Sequence, residues 1–374
     1  MIALHPSWAA ARRLLAIRLD SLGDVLMTTP ALAALKRGLP SAKLTLLTSP
    51  SGAAIAPYLP QVDEVIACSA PWVAPRGTDS AANPLGHDEL ALVEQLRAGH
   101  YDAAIIFTVC TQSALPAALL CRMAGIGLRL AHCRENPYGL LSHWVRDADQ
   151  PADCQRHEVR RQLDLVATVG FGPPTGGLQL AVQPEDRLAL RQRLAFGGIP
   201  PEQPYIVVHP GAAAASRRYP PEYFAAAARL LTQETGHSVV LAGSTEDALQ
   251  LEALQHAMGW PRPLRMDDLP LGQLAALIEG SAVTLCNNSA PAHIAAAVGA
   301  PVVVLYALTN LQHTPWTAHS EVLSHPVACR GCLKSVCPEG HHACLRGVAP
   351  QRVVDAANAV MRRAQASSYT HAPS

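Results

Sequence analysis

Three short segments of this chain combine residue types able to bind an anion or to move a proton. In Cys286-Asn-Asn-Ser-Ala-Pro-Ala-His293 an apolar run passes into polar residues that can cap a helix, and Pro291 suits its first position. Gly299 and Pro301 then end that helix. Such a start directs free backbone N–H groups and the positive end of the helix dipole at one point, an anion site. An ordinary capped helix uses the same residues, and His293 in the first turn can face a ligand or simply pack. The second segment is His209-Pro-Gly211, the small residues Ala212–Ala215, and Ser216-Arg-Arg-Tyr-Pro220. Gly211 and the alanines let a ligand approach the backbone, and Arg217 with Arg218 can hold a diphosphate through charge-assisted bonds. A surface loop with solvated arginines is the alternative. The third is the Asp20–Asp24 turn, where an acid beside Gly23 can take a proton from a hydroxyl or cap the following helix.

These segments need a scaffold that brings loops to one edge. Leu14–Leu19 is a short apolar run, Val25–Lys36 has helical spacing, and Lys43–Leu47 returns as a strand. This strand–loop–helix–strand unit is of the parallel α/β kind, and Ala103–Phe107 adds a further strand. The second half restarts the pattern, with strands at Tyr205–His209, Ser238–Ala242, Val283–Cys286 and Val302–Tyr306. Helices are expected at Pro221–Thr235, Asp247–Met258, Leu271–Ile278 and Pro291–Val298, with a last one at Gln351–Ala364. His157-Glu158 and the residues after it read as a helix near the crossing between halves, which falls in Gly170–Gln203. The prediction is two doubly wound Rossmann-like α/β domains, 1–182 and 183–365, facing a cleft at the carboxyl ends of their strands, with a mobile tail at 366–374.

Composition agrees with this and excludes other classes. Of 374 residues, 49% are hydrophobic and 16% charged, ample for two buried cores and unlike a disordered chain. The 29 basic and 29 acidic residues leave no net charge, so nucleic acid is not an expected partner. Arginines 12, 13 and 18 interrupt the N-terminus, which argues against a signal peptide. No stretch reads as a membrane span. The expected location is cytoplasmic, with at most peripheral contact at the inner face of a membrane. No Gly-x-Gly-x-x-Gly follows either leading strand, so a nucleotide-dependent oxidoreductase fits poorly.

Taken in order, four pieces resemble glycosyltransferase family 9, the ADP-heptose:lipopolysaccharide heptosyltransferases and their relatives. They are Arg18-Leu-Asp-Ser-Leu-Gly-Asp-Val-Leu, His209-Pro-Gly-Ala with Arg217-Arg-Tyr-Pro, Gly243-Ser-Thr-Glu-Asp247, and Asn287-Asn-Ser-Ala-Pro-Ala-His293. The resemblance implies a GT-B fold, a nucleotide-sugar donor on the C-terminal domain, a glycan or glycolipid acceptor on the N-terminal one, inversion, and chemistry that requires no cofactor. It places Asp24 as the catalytic base. Gly211, Arg217, Arg218, Gly243, Asp247, Asn288, Ser289, Ala290 and His293 fall on the donor side, with Arg217 where the family usually has a diphosphate-binding lysine. Two residues depart from the pattern. Asn288 stands where aspartate is common, removing a charge near the donor sugar, and Ala290 stands where glycine is usual, which costs about 1 kcal/mol if that backbone needs a positive φ. Asn288 is also the one hint of a catalytically silent nucleotide-sugar-binding protein.

Two further segments are candidates. Cys329-x2-Cys332-x4-Cys337-x6-Cys344, with His341 and His342 between, packs four thiols into a short loop. Such a loop can hold a structural zinc or an iron–sulfur cluster, be stapled by a disulfide, or stay reduced. The other cysteines, residues 68, 110, 121, 133, 154 and 286, read as buried small hydrophobes. Arg129 to Tyr138 reads as a charged loop whose Arg129 and Arg134 are candidates for acceptor contacts.

Overall fold

A computed structural model describes residues 3–73, 86–149, 156–172, 176–259, 262–309 and 311–370. The chain divides into two compact units, Met1–Gln179 and Leu180–Ser374.

The first unit opens with α1 (Pro6–Ala9), β1 (Arg13–Arg18), α2 (Leu22–Gly38), β2 (Lys43–Thr48), α3 (Pro50–Ala53) and β3 (Glu64–Ala67). It continues with α4 (His87–Ala98), β4 (Ala103–Ile106), α5 (Leu115–Met123), β5 (Leu128–Cys133), β6 (His143–Arg146) and α6 (Glu158–Ala167). All strands pair in parallel in the order β3-β2-β1-β4-β5-β6. That is the doubly wound order, whose direction reverses between β1 and β4. The central strands are apolar runs buried on both faces, as a parallel sheet covered by helices requires. Ser21 is the N-cap of α2 and closes a capping box with Asp24, so the helix begins three residues before the predicted Val25. Pro30 inside α2 has no N–H to offer the Leu26 carbonyl, and the Thr29 hydroxyl supplies that donor at 2.7 Å.

The second unit contains α7 (Pro184–Phe196), β7 (Tyr205–His209), α8 (Pro221–Thr235), β8 (Ser238–Gly243), α9 (Ala248–Met258) and β9 (Leu264–Asp267). Then follow α10 (Leu271–Glu279), β10 (Val283–Asn287), α11 (Ala290–Val298), β11 (Val302–Leu305), β12 (Ser320–Leu323), α12 (Ala343–Arg346) and α13 (Pro350–Thr370). Its sheet, β12-β11-β10-β7-β8-β9, repeats the same topology, and its direction reverses between β7 and β10. Gly299 takes a φ of 76° to stop α11, a conformation glycine adopts without a Cβ penalty.

Three expectations need revision. Gly170–Gln203 is more than a crossing, because it contains α7, which packs on α10 and ties Arg187 to Glu279 at 2.6 and 2.8 Å. The segment read as a loop from Arg129 is the interior strand β5 up to Cys133. The last helix continues to Thr370, since no glycine or proline interrupts it after Ala364. Residues 366–370 of the expected tail are therefore helical, and 371–374 lie outside the described residues.

Candidate active site

Doubly wound sheets bind ligands at the carboxyl ends of their strands, where the strand order reverses. In the first unit the loop after β1 occupies that point. Asp24 lies at the third position of α2, where its Oδ2 accepts from the Ser21 N–H (3.1 Å) and hydroxyl (2.6 Å). Its Oδ1 faces Arg18 Nη2 at 3.2 Å. The cap reading of this acid is thus part of its geometry, while its side chain keeps 14% of its surface exposed. Arg18 ends β1 fully buried and also meets Asp20 at 2.9 Å and Glu158 at 2.7 Å. Burial works against the guanidinium charge, but the carboxylates, Asp20 foremost, outweigh it and hold Arg18 above its ordinary pKa. Burial raises the Asp20 carboxyl above its ordinary range, Arg18 opposing and Asp24 adding to the rise. Sequence reading gave Arg18 and Glu158 no role. A charged residue ending a strand of apolar neighbours was the available signal.

In the second unit the loops after β7, β8, β10 and β11 converge. Asn287, wholly buried at the end of β10, donates to the Pro210 carbonyl at 2.6 Å and accepts from the Tyr219 N–H at 3.0 Å. It thereby clamps both ends of the Gly211–Arg218 loop. A Cβ on Gly211 would overlap the Asp247 carboxylate, and one on Gly243 would crowd the Asp247 Cβ. Glycine at these two positions is what lets the loops after β7 and β8 touch. Asp247 accepts from the Ser244 N–H at 3.1 Å and hydroxyl at 3.0 Å, closing a capping box. Arg218 is turned inward, its Nε donating to the Ala212 carbonyl at 2.9 Å.

Arg217, Asn288 and Tyr306 form the other half of this site. Asn288 shares a hydrogen bond with the Tyr306 hydroxyl, and Arg217 lies close enough to favour the phenolate. Burial nonetheless dominates and keeps Tyr306 a neutral phenol. Tyr306, just past β11, was not identified from sequence, where it reads only as the end of an apolar strand. Ser289 is the N-cap of α11, but its hydroxyl turns back to the Asn287 carbonyl at 3.3 Å and does not cap the first turn. Ala290 is the first residue of α11 and lies outside the set of positive-φ positions, so the strain feared for a missing glycine does not arise. His293 is the buried fourth residue of the same helix.

The remaining candidates lie elsewhere. Arg129 is nearly buried in β5, and its guanidinium donates to the backbone carbonyls of Ile126, Gly127, Gly139 and Leu140. Arg134 donates to the Cys110 carbonyl and faces Asp147 at 3.6 Å. Cys329, Cys332, Cys337 and Cys344 line one pocket with His341 and His342. Burial raises the Cys344 thiol, with the three other sulfurs adding to the rise. Among the described residues no group of three or more His, Cys, Asp or Glu is placed to hold a metal ion. This loop touches the donor-side candidates: the Ser216 N–H donates to the Ser335 carbonyl at 3.0 Å and its hydroxyl to Lys334 at 2.6 Å. Of the scattered cysteines, 110, 121, 133 and 286 are buried as expected, although Cys110 is disulfide-bonded; Cys68, contrary to expectation, is only half-buried, and Cys154 lies outside the described residues.

Two Rossmann-like units of this topology, with their polar loops at the strand carboxyl ends, have the GT-B fold. The family model of glycosyltransferase family 9 (heptosyltransferase) matches residues 89–343, and the chain belongs to that family. Lipopolysaccharide heptosyltransferase 2 of Escherichia coli (strain K12) is 26% identical over 385 aligned positions, covering 98% of this chain and 99% of that protein. The crystal structure of the glycosyl transferase family 9 protein from Veillonella parvula DSM 2008 superposes with a TM-score of 0.76 at 22% identity, covering 97% of this chain and 99% of that one. The E. coli ADP-heptose lps heptosyltransferase II structure gives 0.72 at 24% identity, covering 94% and 99%. Among the described residues no helix is long and apolar enough to cross a membrane.

Proposed function

We propose that this chain transfers heptose from ADP-heptose to a lipopolysaccharide core or related envelope glycan, with inversion and without a catalytic metal. The observation that carries this reading is the grouping of Arg217, Asn288, Tyr306 and the open first turn of α11 at the switch point of the second sheet. A guanidinium and a helix N-terminus together suit a nucleoside diphosphate. Asp247, deep beside Gly211, is assigned to the nucleoside. Asn288 offers both a donor and an acceptor to sugar hydroxyls. Asp24 takes the proton of the acceptor hydroxyl as that oxygen attacks the anomeric carbon. The C1–O bond to the diphosphate breaks, and Arg217 with the start of α11 receives the charge left on the departing ADP. The full-length match to a lipopolysaccharide heptosyltransferase supports the choice of sugar and acceptor. Work on such an acceptor places the protein on the cytoplasmic side of the inner membrane, in peripheral contact at most.

The test is release of ADP from ADP-heptose with and without a heptose-deficient glycolipid acceptor. Acceptor-dependent turnover is expected, abolished in Asp24→Ala and retained in Cys329→Ala. Donor binding without any turnover would leave the silent reading that Asn288 suggests. We assign the cysteine loop a structural role, stapled by a thiophilic metal or a disulfide against the Ser216 backbone. Cys329, Cys332, Cys337 and Cys344 are free thiols in the structure, and metal analysis of anaerobically purified protein that finds neither zinc nor iron would end the metal version.

A further inference from the structure

The charged cluster under the β1–α2 loop is built in depth. Glu158, the first residue of α6, is fully buried, and its Oε1 meets Arg18 Nη1 at 2.7 Å and Gln162 Nε2 at 2.5 Å. Arg18, from β1, is equally buried and stands between this floor and two acids nearer the surface. Asp20 on the loop and Asp24 on α2 retain 10% and 14% side-chain exposure. Gln112, from the loop after β4, donates to Asp20 Oδ1 at 2.5 Å. Arg18, from β1, therefore faces three carboxylates, reached from the loop, α2 and α6. A buried ion pair contributes little net stability compared with apolar packing, so stability alone gives a weak reason for this cluster. Its geometry has another consequence. The guanidinium fork is rigid and planar; Nη1 is fixed from behind by Glu158, which leaves Nη2 to donate to Asp24 at 3.2 Å, while Nε lies 2.9 Å from Asp20 as an ion pair without a hydrogen bond.

We propose that Arg18, clamped by Glu158, is a positioning residue that orients the Asp24 carboxylate and holds it ionised beside Asp20. Two neighbouring carboxylates without a cation between them tend to share a proton, and a base that holds a proton cannot accept one. Ser21 fixes one oxygen of Asp24 and Arg18 the other, so the plane of the carboxylate is set from two sides. This inference rests on the reading of Asp24 as the base and assigns the device that holds it ready.

The test uses the full chain and two variants. Arg18→Lys keeps a cation but loses the fork. The double variant Arg18→Gln/Glu158→Gln removes the buried cation together with its buried counter-ion, leaving no unpaired charge on the floor. The Asp24 carboxyl carbon is titrated by NMR, and kcat and KM for donor are measured against pH. In the double variant the Asp24 titration is expected to move to higher pH and the acid limb of kcat to follow. Turnover at neutral pH falls about 10- to 100-fold, as misplacement of a catalytic group predicts, while donor KM stays within about twofold. Arg18→Lys restores the titration but only part of the turnover. An unmoved Asp24 titration in folded double variant overturns the proposal. Should that variant not fold, wild-type turnover in Arg18→Lys does so instead, because a point charge would then serve as well as the fork. Asp24→Asn at wild-type turnover would sink the base assignment, while the NMR titration still decides the role of Arg18.

Discussion

Asp24 serves two purposes that a well-chosen substitution separates. As an acceptor for the Ser21 N–H and hydroxyl it stabilises the start of α2, and as a carboxylate it is the proposed base. Asparagine retains an acceptor oxygen but cannot take a proton. Asp24→Asn should therefore keep the Ser21 cap, lower the urea midpoint only through the lost Arg18 ion pair, bind donor unchanged, and lose turnover about 10²–10⁴-fold. An equal loss of stability and activity would assign the residue to the cap alone. Arg217 is tested in the opposite sense. Arg217→Ala should weaken ADP-sugar binding, measured by calorimetry, by about tenfold or more, the scale of a charge-assisted bond. Arg217→Lys should recover part of it, because the family's usual residue there is lysine. Unchanged affinity in the alanine variant would remove Arg217 from the donor site.

At the scale of elements, the donor-side loops depend on one amide. Asn287 satisfies two buried backbone groups, the Pro210 carbonyl and the Tyr219 N–H. Asn287→Ala strands both, at a cost of about 1–3 kcal/mol each before relaxation. Urea unfolding should show that loss, and donor affinity should fall with it because both ends of the Arg217 loop are released. A variant of undiminished stability would mean that the loop is held elsewhere. The edges of the sheets explain what sequence reading missed. The four strands left unread, apart from β5, are β3, β6, β9 and β12, and each lies at an edge of its sheet. Edge strands are covered less completely, their residues alternate or stay half-exposed, and they produce no continuous apolar run. Strand β5 escaped for a different reason. Arg129 and His132 interrupt it, yet both are buried and meet backbone carbonyls, Arg129 through its guanidinium and His132 through Nε2, contacts invisible before the chain folds.

For the molecule as a whole, pH acts through the second buried network of the first unit. Arg161 holds Asp147 at 2.7 and 2.8 Å, and the His132 ring lies against the Arg161 carbonyl at 3.2 Å. Burial, aided by the Arg161 charge, lowers His132 from 6.5 to about 4. The folded chain thus keeps this imidazole neutral while the unfolded chain protonates it. The contribution is complete above pH 6.5 and is lost as pH falls towards 4, up to about 3 kcal/mol. Urea midpoints should decline through that window, and His132→Gln should flatten the decline. A profile with the same slope in that variant would place the acid sensitivity in other groups.

The order of motifs, the two α/β halves and the chemistry open to their loops were all determined by the sequence alone. Central parallel strands must be apolar on both faces, and helix starts must be capped, so both leave local marks. Only the tertiary structure decided which polar residues work together. Arg18 with Glu158 and Ser216 with the cysteine loop are brought into contact, and Arg217 into the neighbourhood of Tyr306, by chain crossings of many residues. A buried charge is tolerable only when a partner is already in place, and that partner can come from anywhere along the chain. Local pattern carries no record of it.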